Sequence, residues 1–318
     1  MTTPIASVSL DLDNLWAYLK THGDPGWERM PSFLPTAVPR LLELFGEHGI
    51  TGTVFAVGAD VEREDGAKAV AAFSAAGHEV ANHSYRHEPW LHRYSRAELV
   101  AELTRTEEAI VAAGAPRPVG FRGPGFSASR TLVEVLAERG YHYDASTLPT
   151  WIGPLARAVH NRAAPPGDPR RDELFGGFSR VLAPNTVYRW ADTDLVELPV
   201  TTMPLLRVPI HGAYVLALHQ ISPRLARRYF ATAVRLCRAR GVSPSLLVHP
   251  TDVLGRGEAA GMEFFPGMGV PTGQKVALLG WMLAAVRARF TVVGTGEHVA
   301  RAAPVRRQRD VGGLDRGR

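Results

Sequence analysis

The strongest constraint on this chain is its alternation of short β-branched or apolar runs with amphipathic helical runs, with no repeat period. "IASVSL" (5–10) reads as a buried strand ending in acids. "PTAVPRLLELFGEHG" (35–49) puts Val38, Leu41, Leu42 and Phe45 on one helical face and stops at Gly49. "ITGTVFAVG" (50–58) reads as a strand, "DGAKAVAAFSAAG" as a helix, and "HEVANH" as a short strand running into a loop. "SRAELVAELTRTEEAIVAAG" (95–114) opens on Ser95 with Glu98 three residues on, a capping box. Then come the strand "PVGFRG", the helix "SRTLVEVLAERG" (129–140) and the strand "YHYDAS". Further on stand "DLVELPV" (194–200), a helix opening at "SPRLARRYF" (222–230), the strand "PSLLVHP" (244–250), a helix over 274–289 and the strand "FTVVG". Such an order predicts an α/β fold with a parallel sheet under helices. A distorted or incomplete (β/α) barrel of about seven units fits it better than an open doubly wound sheet.

At 318 residues, 45% hydrophobic and 21% charged, the chain has the composition of a globular protein with a substantial core. Residues 1–300 read as one catalytic domain. The Pro- and charge-rich segment 153–192, which contains "AAPPGDPRRDE", reads as a surface excursion or lid. The net charge of +5 points toward nucleic acid only until it is located: residues 301–318 hold six Arg and two Asp, or +4 of it. The body is therefore close to neutral, which argues against a nucleic-acid partner. The tail reads as a disordered end able to act as a weak tether to anionic lipid. No basic start with an apolar run marks a secretory signal, and the longest apolar run, "VALLGWMLAAV" (276–286), is too short to span a bilayer. A cytoplasmic protein, not an integral membrane protein, is expected. The single Cys237 can form no internal disulfide and reads as a core residue. No GxGxxG or GxxxxGK[ST] follows a strand, so a nucleotide cofactor has little support.

In such folds the polar ends of the strands share one rim. Four strand ends here carry groups able to act together. Asp11 and Asp13 of "VSLDLDN" share one side of an extended chain, which suits one carboxylate for metal and one for a proton; a helix cap beside a solvated acid is the plain alternative. His83 and His87 of "NHSYRH" are four apart, a spacing at which any helical turn brings two imidazoles to one face. It is not H-E-x-x-H, because Ser84 stands in the glutamate's place. Arg122 of "GFRGPGFSAS" can hold a carboxylate, and the turn at Pro124–Gly125 could aim backbone N–H groups at an oxyanion. His249 of "LLVHP" ends an apolar strand at the same rim. Trp90, Phe126 and Trp151 could stack on a sugar or pack at the rim. The segment "TTMPLLRVPIHGAYVLALHQ" reads as a barrel wall, or else as an acyl groove.

In their order, D-x-D, "NHSYRH", "FRGPGF" and "LLVHP" resemble the motifs of the NodB-type polysaccharide deacetylases, over residues 5 to 250. Leu12 separates acids that are adjacent in many members, a variant resembling intracellular or lipid-linked-sugar deacetylases and deformylases. Gly125–Phe126 stand where an aromatic followed by glycine is more usual, which leaves the oxyanion donor open. The resemblance implies that Asp13, His83 and His87 bind a divalent metal, usually zinc. It implies Asp11 as general base oriented by Arg122, and His249 as general acid. It places Asp144, with Gly125, Phe126 and Trp151, at the substrate side. The implied activity is metal-dependent removal of an N-acyl group, usually acetyl, from an amino sugar or glycoconjugate. Deformylation of a lipid-linked amino sugar, another amide or imide, and a non-catalytic carbohydrate-binding relic are the alternatives; none of Asp11, Asp13, His83 and His87 is lost, against the relic.

Overall fold

The first strand, β1 (Ile5–Asp11), is buried along nearly its whole length, so it must lie inside a sheet with cover on both faces. The computed structural model describes residues 3–152, 183–302, 308–311 and 314. After β1 come α1 (Leu15–His22), α2 (Leu34–Glu47), β2 (Thr53–Ala56), α3 (Gly58–Val61), α4 (Glu64–Ala75) and β3 (Glu79–Asn82). They are followed by α5 (Arg96–Ala112), β4 (Gly120–Phe121), α6 (Arg130–Glu138), β5 (Tyr143–Asp144), β6 (Tyr188–Trp190) and β7 (Val196–Glu197). The remainder comprises α7 (Gly212–Ile221), α8 (Pro223–Ala239), β8 (Ser245–Val248), α9 (Thr272–Arg287), β9 (Thr291–Val293), α10 (Thr295–Ala302) and β10 (Gln308–Arg309).

The strands form one curled sheet in the order β10-β6-β7-β5-β4-β3-β2-β1-β8, with β9 also on β1. Every pairing is parallel except β6–β7. β1 divides its outer edge: Ser7–Leu10 face β8, while Ile5–Ser7 face β9. Among the described residues β8 and β10 do not meet, so the sheet is a half-barrel and the expected incomplete barrel is what forms. The main core lies between β1, β2 and β8 and helices α2, α8 and α9, where Val8, Leu10, Leu41, Phe45, Phe230, Val234, Leu246, Leu279 and Leu283 are buried together.

Three sequence expectations change here. Of the segment expected to be a surface excursion, residues 153–182 lie outside the described residues, but β6 belongs to the sheet and Tyr188 and Trp190 are fully buried. Their aromatic bulk fills the cluster under α6 with Leu136 and Leu195, a role the Pro-rich flank obscured. In the supposed tail, Gln308–Arg309 pair with β6 and Val311 is buried. The second half of "TTMPLLRVPIHGAYVLALHQ", expected as a barrel wall or an acyl groove, is the helix α7, which packs Val215 and Leu216 into the main core.

The capping box at α5 forms: the Ser95 Oγ accepts from Glu98 N at 3.3 Å and a Glu98 carboxylate oxygen accepts from Ser95 N at 2.8 Å. Ser95→Ala therefore lowers the unfolding free energy in denaturant by about 1 kcal/mol with an unchanged slope. An unchanged midpoint would mean that water caps this exposed end equally well.

Candidate metal centre and active site

Asp11 ends β1, and Leu12 N bonds Phe55 O at 2.9 Å as the last rung toward β2. Two residues later Asn14 caps α1, its Oδ1 accepting from Leu15 N and Phe33 N at 2.8 and 3.1 Å. Its amide also donates to Asp60 Oδ1 at 2.8 Å. Asp13 is thus pinned between a strand end and a capped helix, and both acids are buried.

His83 follows β3, its N–H on Ala56 O at 2.9 Å. The expected helical turn is not what joins His83 to His87. Ser84 and His87 both adopt positive φ, 62° and 51°, and fold the segment into a tight non-helical loop. Left-handed backbone at non-glycine residues costs about 1–3 kcal/mol each, so surrounding bonds must hold it. Glu102 of α5 does so, one carboxylate oxygen accepting from Tyr85 N at 2.8 Å and Arg86 N at 2.9 Å. Lys20 of α1 donates to Arg86 O at 2.8 Å and pairs with Glu88 at 2.6 Å, its ammonium near the faces of Trp16 and Trp27. Within the loop, His87 N donates to Ser84 Oγ at 3.2 Å and Ser84 N to Asn82 Oδ1 at 2.8 Å.

Arg122 follows β4 and is completely buried. Its Nη1 donates to Asp11 Oδ1 at 2.5 Å and to Ser9 Oγ at 2.9 Å, its Nε to Ala145 O at 3.0 Å, and its plane lies 4.1 Å over the Phe55 ring. Its carbonyl lies 2.6 Å from His83 Nδ1. A carbonyl can only accept, so Nδ1 carries the proton and Nε2 keeps its lone pair.

That lone pair faces Asp13. His83 Nε2 and His87 Nε2 lie 3.2 and 3.1 Å from Asp13 Oδ1. The ligand atoms of Asp13, His83 and His87 all fall within 4.8 Å of one another. Yet Asp13 Oδ1 and both His87 nitrogens make no well-formed hydrogen bond. Converging buried donor atoms without partners are costly on their own and fit a divalent cation. Two imidazoles and one carboxylate leave positions for water and substrate. Burial alone would raise the Asp13 carboxyl; the charge of His87 and the contacts from His83 and His87 outweigh it and hold it well below the usual range. Burial depresses His83, but Asp11 and Asp13 together raise it above an ordinary histidine. A cation here competes with that proton.

His249, after β8, brings its Nε2 to 4.0 Å from Asp13 Oδ2. Asp11, Asp13, His83, His87, Arg122 and His249 therefore meet at one rim. The other expected residues stand farther out or deeper. Gly125 and Phe126 form a tight turn with φ of 56° and 60°, Gly125 against Pro89 of the metal loop. The amides of Phe126 and Ser127 bond Gly123 O and Pro124 O of the same turn, so they are not the oxyanion donors. Trp151 is 46% exposed and donates to Leu206 O at 2.7 Å. Asp144 is fully buried. It faces Glu197 across the β5–β7 register and accepts from Ser146 N at 3.1 Å, while Glu197 accepts from Thr147 N at 2.8 Å. Burial, then the charge of Asp144, holds the Glu197 carboxyl well above its ordinary range. Ser146 Oγ accepts from Gly123 N at 2.8 Å, so the acid pair braces the backbone beside Arg122.

Three contributors escaped the sequence reading. His211, at the start of α7, lies with its ring 6.3 Å from His249. Burial first, then the charges of His249 and Arg122, push it down to about 3, so it is neutral. Tyr18 is held well above an ordinary phenol by burial, then by Asp13. Glu102 was detectable: it interrupts the apolar face Leu99, Leu103, Thr106, Ile110 of α5, where a carboxylate needs a partner.

The comparisons with known proteins agree with this geometry. Residues 21–143 match the family model described as polysaccharide deacetylase, a span holding His83, His87 and Arg122 but neither Asp11, Asp13 nor His249. The resemblance drawn from the four motifs is thus shown. Over 202 residues the chain is 26% identical to a peptidoglycan deacetylase of Helicobacter pylori, covering 61% of this chain and 64% of that protein. The chain spans less than two thirds of the length of the curated relatives it matches. A Mycobacterium smegmatis structure described as a polysaccharide deacetylase superposes with a TM-score of 0.58 at 21% identity, covering 97% of this chain and 98% of its own. One from Pseudomonas aeruginosa PAO1, similarly described, gives 0.61 at 16% identity, covering 94% and 91%. These two show the shared fold, a curled half-barrel of α/β type.

If Glu102 holds the metal loop, Glu102→Ala weakens zinc affinity about 10- to 100-fold in competition with a chromophoric chelator. Glu102→Gln keeps an acceptor oxygen and stays near the wild-type value. Wild-type affinity in a folded Glu102→Ala protein would show that the loop holds itself.

Proposed function

We propose that this chain is a metal-dependent hydrolase that removes an N-acyl group, most simply acetyl, from an amino sugar or a conjugate carrying one. The observation that carries this reading is the meeting of two groups of side chains at one rim: Asp13, His83 and His87 with their unpartnered donor atoms, and Asp11 and His249 beside them. The motif order and the deacetylase family match support the same chemistry.

Asp13, His83 and His87 would hold the ion. When bound, a divalent cation such as zinc supplies a Lewis acid that lowers the pKa of water and polarises a carbonyl. The remaining work belongs to the chain. Arg122 occupies Asp11 Oδ1, which leaves Oδ2, 3.9 Å from His83 Nε2, to take a proton from the attacking water. His249 Nε2, on the opposite side of Asp13, gives a proton to the departing nitrogen. Acetate and a free amine result, with atoms and charge balanced by the water consumed. His211 stays neutral beside His249, so the acid has no second cation competing for the same space.

Metal-loaded protein is expected to release acetate from a panel of N-acetyl amino sugars, free and carrier-linked; formate from the N-formyl series would redirect the reading to a deformylase. His83→Ala abolishes both zinc retention and turnover. Asp11→Asn and His249→Gln lower kcat/KM by about 10²–10⁴-fold while zinc affinity is largely kept. The profile of kcat/KM against pH is bell-shaped, because Asp11 must be ionised while His249 is protonated. A monotonic profile, or full activity in His83→Ala, sinks the assignment.

A further inference from the structure

The helix α8 carries a stripe of arginines that the proposed reaction does not use. At 3.6 residues per turn, Arg224, Arg227, Arg228, Arg235 and Arg238 fall within about 100° of arc. All five are exposed. The opposite side of the same helix, Ala226, Phe230, Ala233, Val234 and Cys237, is buried in the main core. The helix is therefore held by its apolar face and presents its charge outward.

Among the described residues no carboxylate balances that charge. No Asp or Glu stands anywhere between Glu197 and Asp252, nor between Glu263 and Glu297, the span that includes the neighbouring helix α9. Among the described residues no carboxylate pairs with any of the five arginines; Arg227 instead lies 5.5 Å over the ring of Trp281 of α9. Several cations elsewhere on the surface do have carboxylate partners, as in Lys68–Glu64, Arg105–Glu62 and Arg301–Glu297. Like charges three and four residues apart, such as Arg224 with Arg228 and Arg235 with Arg238, weaken a helix. The stripe is thus a cost to the isolated molecule that an anionic partner would remove.

A second feature selects the partner. At the corner between α7 and α8, Ile221 is 77% exposed and Leu225 47% exposed, flanking Arg224 and one turn from Arg228. Apolar side chains among arginines suit the boundary between headgroups and acyl chains, where arginines meet phosphates and aliphatic groups enter the tails. A nucleic-acid duplex offers a phosphate surface with no use for an exposed isoleucine, and no aromatic residue of α8 is exposed for base stacking.

We propose that the outer face of α8, with Ile221 and Leu225 at its leading corner, docks on the surface of an anionic lipid bilayer. The contact is peripheral, since no helix among the described residues is long and apolar enough to cross a membrane. It places the membrane contact on the body of the fold instead of on residues 301–318, and it does not depend on the deacetylase reading.

The test is flotation of the full chain with phosphatidylcholine vesicles with and without phosphatidylglycerol. Binding is expected only to the anionic vesicles, and to weaken as salt rises. Arg224→Gln/Arg228→Gln/Arg235→Gln should lower partitioning by roughly 100-fold, at about fivefold per arginine. Ile221→Ser/Leu225→Ser should lower it further, with circular dichroism and thermal melting unchanged. The charge-matched control Lys68→Gln/Arg96→Gln/Arg301→Gln, on other faces, should bind like the wild type. The proposal is overturned by equal binding to neutral vesicles, by no binding, or by a control triple that loses as much as the α8 triple. It is also overturned if duplex DNA binds as tightly as anionic vesicles and the Ile221→Ser/Leu225→Ser protein is indifferent, which would make the stripe a general polyanion surface. In the full chain, replacing Arg306, Arg307, Arg316 and Arg318 by Gln leaves vesicle binding intact if α8 is the contact and abolishes it if the basic tail is.

Discussion

One buried guanidinium organises the site. Removing an arginine from water is expensive unless it gains ion-pair and hydrogen-bond partners. Here Arg122 answers with Asp11 and Ser9 from β1, the Ala145 carbonyl beyond β5 and the face of Phe55 from β2. Through its own carbonyl it also fixes the tautomer of His83 beyond β3. Five consecutive strands of the sheet are thereby registered at their carboxyl ends by one residue. The same contact that makes the charge tolerable holds the base carboxylate and frees a metal-facing nitrogen, so fold stability and site geometry share one cause. The buried Asp144–Glu197 pair extends the brace, because Ser146, which Asp144 holds, accepts from Gly123 N next to Arg122, while Glu197 holds the following Thr147.

The second support is paid for in backbone strain. Ser84 and His87 sit in left-handed conformations that their side chains disfavour. They remain there because Glu102 and Lys20, from two different helices, bond the peptides between them. Loops that present ligands are more precise when rigid elements hold them, and α1 and α5 serve as those elements. The imidazole of His87 is positioned by carboxylate and ammonium groups that never approach the candidate ion.

Much of this was legible in the sequence. The alternation of runs gave the parallel sheet, because periodicity reports burial directly. The strand-end acids and histidines followed from where such strands must terminate, and their order carried the family resemblance. What stayed hidden depended on contacts across long separations. His83 and His87 looked like neighbours on a helical face, but their spacing is realised by a loop whose conformation is set by Glu102. The acid that faces Asp144 was hidden too, because no local pattern shows that Glu197, fifty-three positions later, lies against it in the register. The strand Tyr188–Trp190 was lost beside a proline- and charge-rich flank, since three residues carry too little periodicity to be seen.

The placement of Gln308–Arg309 on β6 bears on how this sheet avoids its own kind. A half-barrel has two free margins, and an open margin of unpaired amides and carbonyls is a template for another chain. Tyr188 and Trp190 lie in the strand next to that margin, where intermolecular β-pairing would bring large aromatic residues close to a neighbour. The short pairing covers the margin with two polar residues followed by Asp310, too brief and too charged to seed further strands. Gln308–Arg309 thus work as a selvedge, covering the margin where curling alone does not close the sheet.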